Sequence, residues 1–173
     1  MGAPGPFNLT SDDDAANLVT VNMMHPTYLS KVAMKYLAGR PPRSCILNVS
    51  SIMDMSPIAG YALYSASKAY INSFSSALHA ELKYDTKLNQ KIDCCVYCPG
   101  AVSTKLNGLD TIWGIIPDPL TAARTALHDV GRYQFTNGRL FDRITYAILG
   151  FIFKYWPWLG NTLFYKDAMQ KVK

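Results

Sequence analysis

Two spacings of apolar residues alternate along this chain, and they predict helices and strands in turn. Between Ser11 and about Gly39, apolar residues recur every three to five positions, which is typical of a helix that buries one face. Ser44 to Val49 and Ile92 to Cys98 are short apolar runs that favour buried strands. Helical spacing returns from about Tyr64 to Tyr84 and from Pro119 to about Arg132.

Local signals refine these elements. Ser11 can cap the first helix, and three Asp residues follow in the first turn, where the helix dipole stabilises negative charge. Pro26 interrupts that helix and is expected to kink it. Leu140 and Phe141 are assigned to a short third strand.

The order of the elements predicts the fold class. Helices that alternate with strands indicate an α/β domain, with parallel strands joined by right-handed crossovers. Ligands of such sheets bind beyond the carboxyl ends of the strands. Those ends are Ser50-Ser51 and Pro99-Gly100, so we expect a site there.

Composition narrows the class of protein. The chain has 173 residues, of which 49% are hydrophobic, so it is not intrinsically disordered. No uncharged apolar run is long enough to span a membrane as a helix. The net charge of +5 suits an anionic cofactor, an acyl-CoA, a membrane surface or nucleic acid, and it does not choose among them.

Cysteine and histidine positions argue against a metal site. The four cysteines are Cys45, Cys94, Cys95 and Cys98, and the three histidines are His25, His79 and His128. Cys95 and Cys98 have a spacing that metal and redox sites use, but a zinc site needs about two more ligands at matching spacing. We therefore expect small hydrophobic side chains within a strand, and no metal.

Three polar residues near the end of the first strand form a candidate catalytic group. Tyr64 follows Ser51 by 13 residues and precedes Lys68 by four, so in a helix Tyr64 and Lys68 share a face. A nearby ammonium is expected to lower the pKa of the Tyr64 hydroxyl, which could then exchange a proton with a substrate oxygen. Ser51 could hydrogen-bond the same oxygen. The alternative is an ordinary Tyr and Lys pair on an exposed helix.

Three segments then resemble one known family, the short-chain dehydrogenase/reductases. They are Ile46–Ser51, Tyr64–Lys68 and Pro99–Thr104, which match the catalytic Ser, the Tyr-x-x-x-Lys motif and the Pro-Gly-x-Val-x-Thr motif in order and spacing. Thr136-Asn137-Gly138 and the stretch with Pro157-Trp158 resemble the membrane-associated branch of 17β-hydroxysteroid dehydrogenases and very-long-chain 3-oxoacyl-CoA reductases.

The resemblance implies a role for each matched residue. Tyr64 would be the general acid and base, Lys68 would lower its pKa and hold the nicotinamide ribose, and Ser51 would polarise the substrate carbonyl. Further residues would border the cofactor: Pro99, Gly100, Val102 and Thr104.

Asn22 matches the place of the family's fourth catalytic residue. It lies four residues after Leu18 and seven before Leu29, so it is expected to face the same apolar side of the helix. The resemblance implies a proton relay through water, and the alternative is a hydrogen-bonded core Asn.

The resemblance also implies a substrate, a cofactor and a location. The chain would reduce the ketone of a 3-oxoacyl-CoA or a keto-steroid with NADPH, ahead of NAD, or run the reverse reaction. It would work at the cytosolic face of the endoplasmic reticulum membrane, and otherwise in the cytoplasm. Residues 105–118 are expected to form a mobile lid with apolar members Leu106, Ile112, Trp113 and Ile115. A nucleic-acid partner is not expected, because no recognition motif occurs.

One family motif does not occur in this sequence, namely the Gly-x-x-x-Gly-x-Gly turn that receives the pyrophosphate. We therefore expect the C-terminal portion of a Rossmann-like doubly wound parallel sheet, without its Gly-rich N-terminal half. Residues 1–142 would form this partial domain, and the apolar edge of its sheet would favour a homo-oligomer. The alternative function is a non-catalytic fragment that acts through association or membrane contact.

Residues 143–173 would form an apolar and aromatic C-terminal segment. Its lysines lie beside Trp and Tyr residues, which suits a membrane interface, and the alternative is packing against the core. These lysines are Lys154, Lys166, Lys171 and Lys173.

Overall fold

The computed structural model describes residues 4–40, 43–89, 91–105 and 108–171. Its helices are α1 (Asp12–Val19), α2 (His25–Leu37), α3 (Ala62–Tyr84), α4 (Pro119–Asp129), α5 (Leu140–Tyr155) and α6 (Pro157–Lys171). Its strands are β1 (Ser44–Val49), β2 (Ile92–Tyr97) and β3 (Phe135–Thr136). Leu106 of the expected lid and Lys173 of the tail lie outside the described residues.

The strands form one parallel sheet in the order β1-β2-β3, which confirms the α/β fold class. Ser44 of β1 pairs with Ile92 of β2, and the register runs without a break to Val49 and Tyr97. Backbone hydrogen bonds continue past the strands, because the Ser50 N–H donates to the Tyr97 carbonyl at 2.8 Å. This continuation holds the carboxyl ends of β1 and β2 side by side.

The core lies between the sheet and the helices on one of its faces. Alternate residues of β2 point toward α3, and its hydrophobic residues are almost entirely buried. One cluster joins Ile46 and Cys94 of the strands to Leu78 and Leu82 of α3. A second joins Val96 to Ile71. The helix that carries Tyr64 and Lys68 is therefore packed directly on the sheet.

The helix before β1 contains a π-helical turn, Thr20–Met24, between α1 and α2. Pro26 lies in the first turn of α2 and cannot donate a backbone hydrogen bond. The helix is expected to be interrupted at Pro26, and the irregular turn lies just before this residue. The wider turn changes the phase of the helix. As a result Leu29 is 69% exposed while Asn22 reaches α3, and the expectation that both face one apolar side is wrong.

The third strand is also displaced from its expected position. It comprises Phe135 and Thr136, whereas Leu140 and Phe141 begin α5, so their assignment to a strand is wrong. Gly138 has a φ of +73°, a left-handed conformation that turns the chain out of the sheet. The isolated apolar pair of residues 140 and 141 therefore starts an amphipathic helix and does not belong to a strand.

Three of the four cysteines are buried in or directly after β2, as predicted. Cys94, Cys95 and Cys98 are each at most 2% exposed. Because side chains alternate along a strand, Cys95 and Cys98 point to opposite faces of the sheet. Among the described residues, no group of three or more His, Cys, Asp or Glu side chains could hold a metal ion.

Helices α5 and α6 form a helical hairpin that packs against the segment following β1. Ile58, Tyr61, Phe153 and Ala168 make a third buried cluster between them. Gly160 lies against the Phe153 ring, where a Cβ atom would approach the ring to 2.8 Å. Across the described ranges, neither these helices nor any other has the length and apolar character needed to cross a bilayer.

Candidate active site

Ser51 directly follows the carboxyl end of β1. It caps a short 3-10 turn (Ile52–Met55), in which the Met53 N–H donates to the Ser51 Oγ at 3.3 Å. The Ile52 N–H donates to the Pro99 carbonyl at 3.0 Å, so the segments after β1 and β2 are joined here. Ser51 is buried, which fixes its hydroxyl at the edge where ligands of such sheets bind.

Tyr64 and Lys68 lie one turn apart near the start of α3 and share a face, as their spacing predicts. The Lys68 Nζ lies 5.6 Å from the centre of the Tyr64 ring. It also donates to the Val49 carbonyl at 3.1 Å, at the last residue of β1. The structure therefore brings Ser51, Tyr64 and Lys68 together at one end of the sheet.

The electrostatics of the Tyr64 hydroxyl differ from the expectation. Burial raises its pKa, and hydrogen bonding by Ser51 opposes that rise. The expected lowering of the pKa by Lys68 is wrong, because the ammonium lies over the ring and its hydrogen bond goes to Val49. Burial also lowers the pKa of Lys68, and the nearby carboxyl of Asp54 opposes this shift.

Asn22 projects from the π-helical turn toward α3. Its Nδ2 donates to the Ser67 Oγ at 3.0 Å, and the Ser67 hydroxyl donates to the Tyr64 carbonyl at 2.7 Å. Asn22 is therefore joined to the catalytic turn of α3 through one intervening side chain. A π turn inside a helix is frequent at functional sites, and nothing in the spacing of this helix predicted it.

Sequence reasoning missed Asp54, which is buried beneath the candidate group. Its carboxylate accepts from Asn72 Nδ2 at 2.9 Å, from Tyr146 Oη at 3.2 Å and from Cys98 Sγ at 3.1 Å. The Ser50 hydroxyl lies 2.9 Å from Asp54 and 2.8 Å from the Lys68 carbonyl, and it can donate to either. A single carboxylate within the apolar run Ile52–Met55 was the signal that could have found it.

The Pro99-Gly100 turn packs against the first turn of α5. A Cβ atom at Gly100 would collide with Asp142 Oδ1, so glycine allows this close approach. Asp142 is held by Arg139, whose Nε donates to it at 2.9 Å. Val102 and Thr104 follow the turn and are half-buried.

The described part of the expected lid is attached to the same arginine. Arg139 Nη2 donates to the Ile115 carbonyl at 2.7 Å, and Nη1 donates to the Gly114 carbonyl at 3.3 Å. Ile112 and Ile115 are largely exposed, and Trp113 is 97% exposed. An apolar loop thus lies beside the Pro-Gly turn and the start of α5.

The geometry defines a class of protein, and comparison with known proteins agrees with it. Residues 1–112 match the family model described as short chain dehydrogenase. The chain belongs to this family.

Curated relatives and a solved structure resemble the chain over most of its length. The very-long-chain 3-oxoacyl-CoA reductase of Neurospora crassa is 34% identical over 128 residues, which cover 74% of this chain and 37% of the relative. The enzyme of the same name from Anas platyrhynchos is 31% identical over 84% of this chain and 44% of its own length. A short-chain dehydrogenase from Sphingobium yanoikuyae, solved with NADPH, has a TM-score of 0.65 at 23% identity, covering 88% of this chain and 61% of that one. The chain thus spans less than half the length of the two curated relatives.

Proposed function

We propose that this chain carries the catalytic part of an NADPH-dependent reductase that converts the ketone of a lipophilic 3-oxoacyl-CoA to an alcohol. The observation that carries the proposal is the meeting of Ser51, Tyr64 and Lys68 at the carboxyl edge of the sheet. The names of the curated relatives support the acyl-CoA substrate. A keto-steroid is the second substrate class that the motifs favour.

The protonation state of Tyr64 suits the reductive direction. Because burial raises the pKa of its hydroxyl, Tyr64 is protonated at neutral pH and can donate its proton to a carbonyl oxygen. Ser51 would donate a second hydrogen bond to that oxygen as negative charge develops. Reprotonation of Tyr64 would then need a path that the bound cofactor and water complete, with Lys68 and Asn22 as its proposed protein members.

The residues present fit the nicotinamide end of the cofactor. The Lys68 ammonium and the Tyr64 hydroxyl lie on one face of α3 and supply the donors that a ribose diol accepts. Pro99, Gly100, Val102 and Thr104 would border the nicotinamide and the pyrophosphate. The bound cofactor would supply the hydride. NADPH is proposed ahead of NAD on the resemblance to the reductase branch alone.

The test is cofactor binding followed by substrate-dependent oxidation. NADPH is titrated into the chain by fluorescence, and its oxidation is then followed with a long-chain 3-oxoacyl-CoA. Tyr64→Phe should still bind NADPH, with a small loss of affinity because one donor to the ribose is removed, and should lose about a hundredfold or more in turnover because it lacks the transferable proton. Tyr84→Phe is the matched control, since Tyr84 lies on the same helix and is 87% exposed. Unchanged turnover in Tyr64→Phe would refute the catalytic role.

The same NADPH titration distinguishes the proposed reductase from the alternative, a non-catalytic chain. The glycine-rich pyrophosphate turn does not occur in this sequence, which favours a non-catalytic role as the second candidate. If the chain shows no affinity for NADPH, association or membrane contact becomes the better account. If it binds NADPH but no ketone is reduced, the cofactor proposal stands and the substrate proposal fails.

We further propose that the chain works at the cytosolic face of the endoplasmic reticulum membrane and that α5 and α6 contact the lipid. Exposed apolar residues recur along the outer face of α5 three or four positions apart: Leu140, Ile144, Ile148, Phe151 and Tyr155. We call this set the α5 outer stripe. Its width and spacing are those of a helix that lies in the plane of a bilayer interface.

The end of the stripe carries the aromatic and basic residues that prefer lipid headgroups. Phe151 contacts Tyr155 with ring centres 4.7 Å apart, and Trp156 lies 5.6 Å from Phe151. Lys154 Nζ is 5.2 Å from the centre of the Tyr155 ring. Both carboxylates of the hairpin, Asp142 and Asp167, are paired with cations, which leaves the surface suited to anionic lipid.

The substrate lid adjoins this surface. Arg139 ties the loop with Trp113 to the start of α5, so the exposed apolar residues of the lid continue the α5 outer stripe. A lipophilic substrate could then pass from the bilayer to the catalytic edge without crossing water. The segment of residues 143–173 would thus be a membrane-facing part of the chain.

Vesicle binding tests the membrane proposal. Trp113→Phe leaves Trp156 and Trp158 as the only tryptophans, and brominated phosphatidylcholine mixed with phosphatidylserine should quench their fluorescence. Ile148→Gln should weaken vesicle binding about tenfold, because it removes apolar area from the bilayer contact. Leu127→Gln is the control, because Leu127 is an exposed apolar residue on α4. If the α4 variant alone loses binding, or if no quenching occurs, the proposed face is wrong.

We propose that the chain forms a homo-oligomer and that the exposed face of α2 is its contact surface. Its side chains Tyr28, Leu29, Val32 and Tyr36 are exposed and apolar, and a second copy could cover them. Sedimentation of the chain without lipid, compared with Tyr36→Gln, tests this. A concentration-independent monomer would contradict it.

A further inference from the structure

The sheet assembles a pair of thiols that is not apparent from the cysteine spacing. Leu47 of β1 pairs with Cys95 of β2, and Cys45 lies two residues before Leu47 on the same face. The Cys45 and Cys95 Sγ atoms are 3.4 Å apart, and Cys45 donates to Cys95. Neither cysteine is in a disulfide. The strand register therefore places two reduced thiols next to each other across neighbouring strands.

We propose that Cys45 and Cys95 form a dithiol site that hydrogen peroxide oxidises to an intramolecular disulfide and that a small thiol reduces again. This site lies on the face of the sheet away from α3 and at a distance from Ser51. It is independent of the proposed reductase activity.

Cys95 is the nucleophile of the pair. Hydrogen bonds from the Cys45 S–H and the Gly131 N–H, together with the charge of Arg43, lower the pKa of the Cys95 thiol, against the opposing effects of burial and of Asp93. Cys45 keeps its proton, because the hydrogen bond to Cys95 and burial raise its pKa. A thiolate beside a protonated partner thiol is the arrangement that redox-active cysteine pairs use.

The proposed oxidation transfers two electrons from the two thiols to hydrogen peroxide. The Cys95 thiolate attacks one peroxide oxygen, the O–O bond breaks and hydroxide leaves, so that Cys95 becomes a sulfenic acid. The Cys45 sulfur then attacks the Cys95 sulfur, the S–O bond breaks, and water leaves with the Cys45 proton. The dithiol is oxidised and peroxide is reduced to water. A small thiol restores the pair by thiol–disulfide exchange.

Closure needs only a small movement. The sulfur atoms must approach from 3.4 Å to about 2 Å, the length of a disulfide bond. Cys95, which attacks the peroxide, is itself 2% exposed, so peroxide must reach it past Cys45, which is half-buried.

The other two cysteines are excluded by the same geometry. Cys94 and Cys98 point to the opposite face, toward α3. Burial raises the pKa of Cys94 to about 12, and Cys98 Sγ donates to Asp54 at 3.1 Å. Their thiols are therefore protonated and inert at neutral pH.

Peptide mapping after peroxide treatment tests the proposal. Trypsin releases Cys45 in residues 44–68 and Cys95 in residues 92–105, so non-reducing mass spectrometry should find these two peptides joined. Two thiols should disappear from titration under denaturing conditions, and dithiothreitol should restore them. Cys94→Ser and Cys98→Ser are matched controls that should still form the crosslink, whereas Cys45→Ser should abolish it and leave a Cys95 sulfenic acid.

Three outcomes would overturn the proposal. They are a crosslink lost in Cys94→Ser or Cys98→Ser, a disulfide between two chains, and a wild-type chain whose four thiols survive peroxide. If Cys45→Ser does not fold, the wild-type peptide map and the two control variants still decide which sulfur atoms are joined.

Discussion

Lys68 donates a hydrogen bond to the carbonyl of Val49 at 3.1 Å, so the ammonium of α3 is fixed to the carboxyl end of β1. The same ammonium lies 5.6 Å from the centre of the Tyr64 ring. This contact sets the distance between the helix that carries Tyr64 and the strand that ends next to Ser51. The side chain therefore has a structural part as well as the chemical part that the motif implies.

Lys68→Met should separate these two parts. Turnover is expected to fall about a hundredfold or more, because the ribose donor and the proton path are both lost. The free energy of unfolding should fall by only about 1 kcal/mol, the usual contribution of one hydrogen bond. Lys83→Met on the same helix is the control. Steady-state kinetics and urea unfolding are the measurements, and normal turnover with NADPH would contradict the role of Lys68.

Asn22→Ala tests the relay. If Asn22 moves protons, kcat should fall about tenfold or more while the NADPH affinity is unchanged, because no cofactor contact is removed. Asn17→Ala is the control, since Asn17 is exposed one turn earlier on α1. A purely structural Asn would lower stability and leave kcat of the folded protein intact. Stopped-flow NADPH oxidation together with thermal unfolding distinguishes these results.

Asp54→Ala should be strongly destabilising. Asn72, Tyr146 and Cys98 all donate to this carboxylate, and removing it leaves buried donors without their acceptor. We expect a loss of about 3 kcal/mol or more in the free energy of unfolding, and a smaller loss for Asp54→Asn, which keeps one acceptor oxygen. Urea unfolding by circular dichroism measures both. Equal stability of the two variants would show that the network does not hold the strand ends.

The contributions of two buried carboxylates, Asp54 and Asp129, to the stability of the fold should change in opposite directions with pH. Burial raises the pKa of Asp54, so its contribution to stability is greatest in acid and is lost as pH rises through the raised pKa. For Asp129, burial also acts to raise the pKa, but hydrogen bonds from Thr136, His128 and Arg143 outweigh it and lower the pKa. Its stabilisation is present above the usual carboxyl pKa and is lost as pH falls through the lowered value.

Asp54→Asn and Asp129→Asn test this pair directly. The free energy of unfolding is measured by urea unfolding between acid and neutral pH. In Asp54→Asn it should decrease less steeply as pH rises. In Asp129→Asn it should decrease less as pH falls into the acid range. The unchanged chain supplies the reference curve. Identical slopes in all three proteins would mean that neither carboxylate is linked to folding.

Two glycines of the hairpin offer a matched steric test. Gly160→Ala would place a Cβ atom 2.8 Å from the Phe153 ring and should cost about 1–3 kcal/mol. A Cβ atom added at Gly150, in the interior of α5, has no heavy atom within 4 Å. Gly150→Ala should therefore raise the free energy of unfolding by about 0.5–1 kcal/mol, because Ala has the higher helix propensity. Thermal unfolding measures both. Phe153→Leu should rescue Gly160→Ala if the contact is responsible.

The sequence alone determined the order of the elements up to α4 and the edge of the sheet where the candidate site lies. Apolar spacing predicted the helices up to α4 and the strands β1 and β2 to within a few residues, because burial of one face imposes a period on the chain. It did not predict α5 and α6 as helices. The i,i+4 relation placed Tyr64 and Lys68 on one face through local helix geometry. The position of Ser51 after a buried strand indicated the edge of the sheet at which a ligand binds.

Tertiary structure decided the contacts between residues distant in sequence. The ammonium of Lys68 lies over the Tyr64 ring because α3 packs on β1, and that orientation removes the expected effect on the Tyr64 pKa. A π turn rotates Asn22 toward α3 and leaves Leu29 in solvent. Asp54 collects its donors from α3, β2 and α5, and Cys45 meets Cys95 only through the strand register. The local sequence pattern determines which face of each helix or strand is apolar. The angle and register at which these elements pack determine which polar atoms meet. No short stretch of sequence encodes that angle or register.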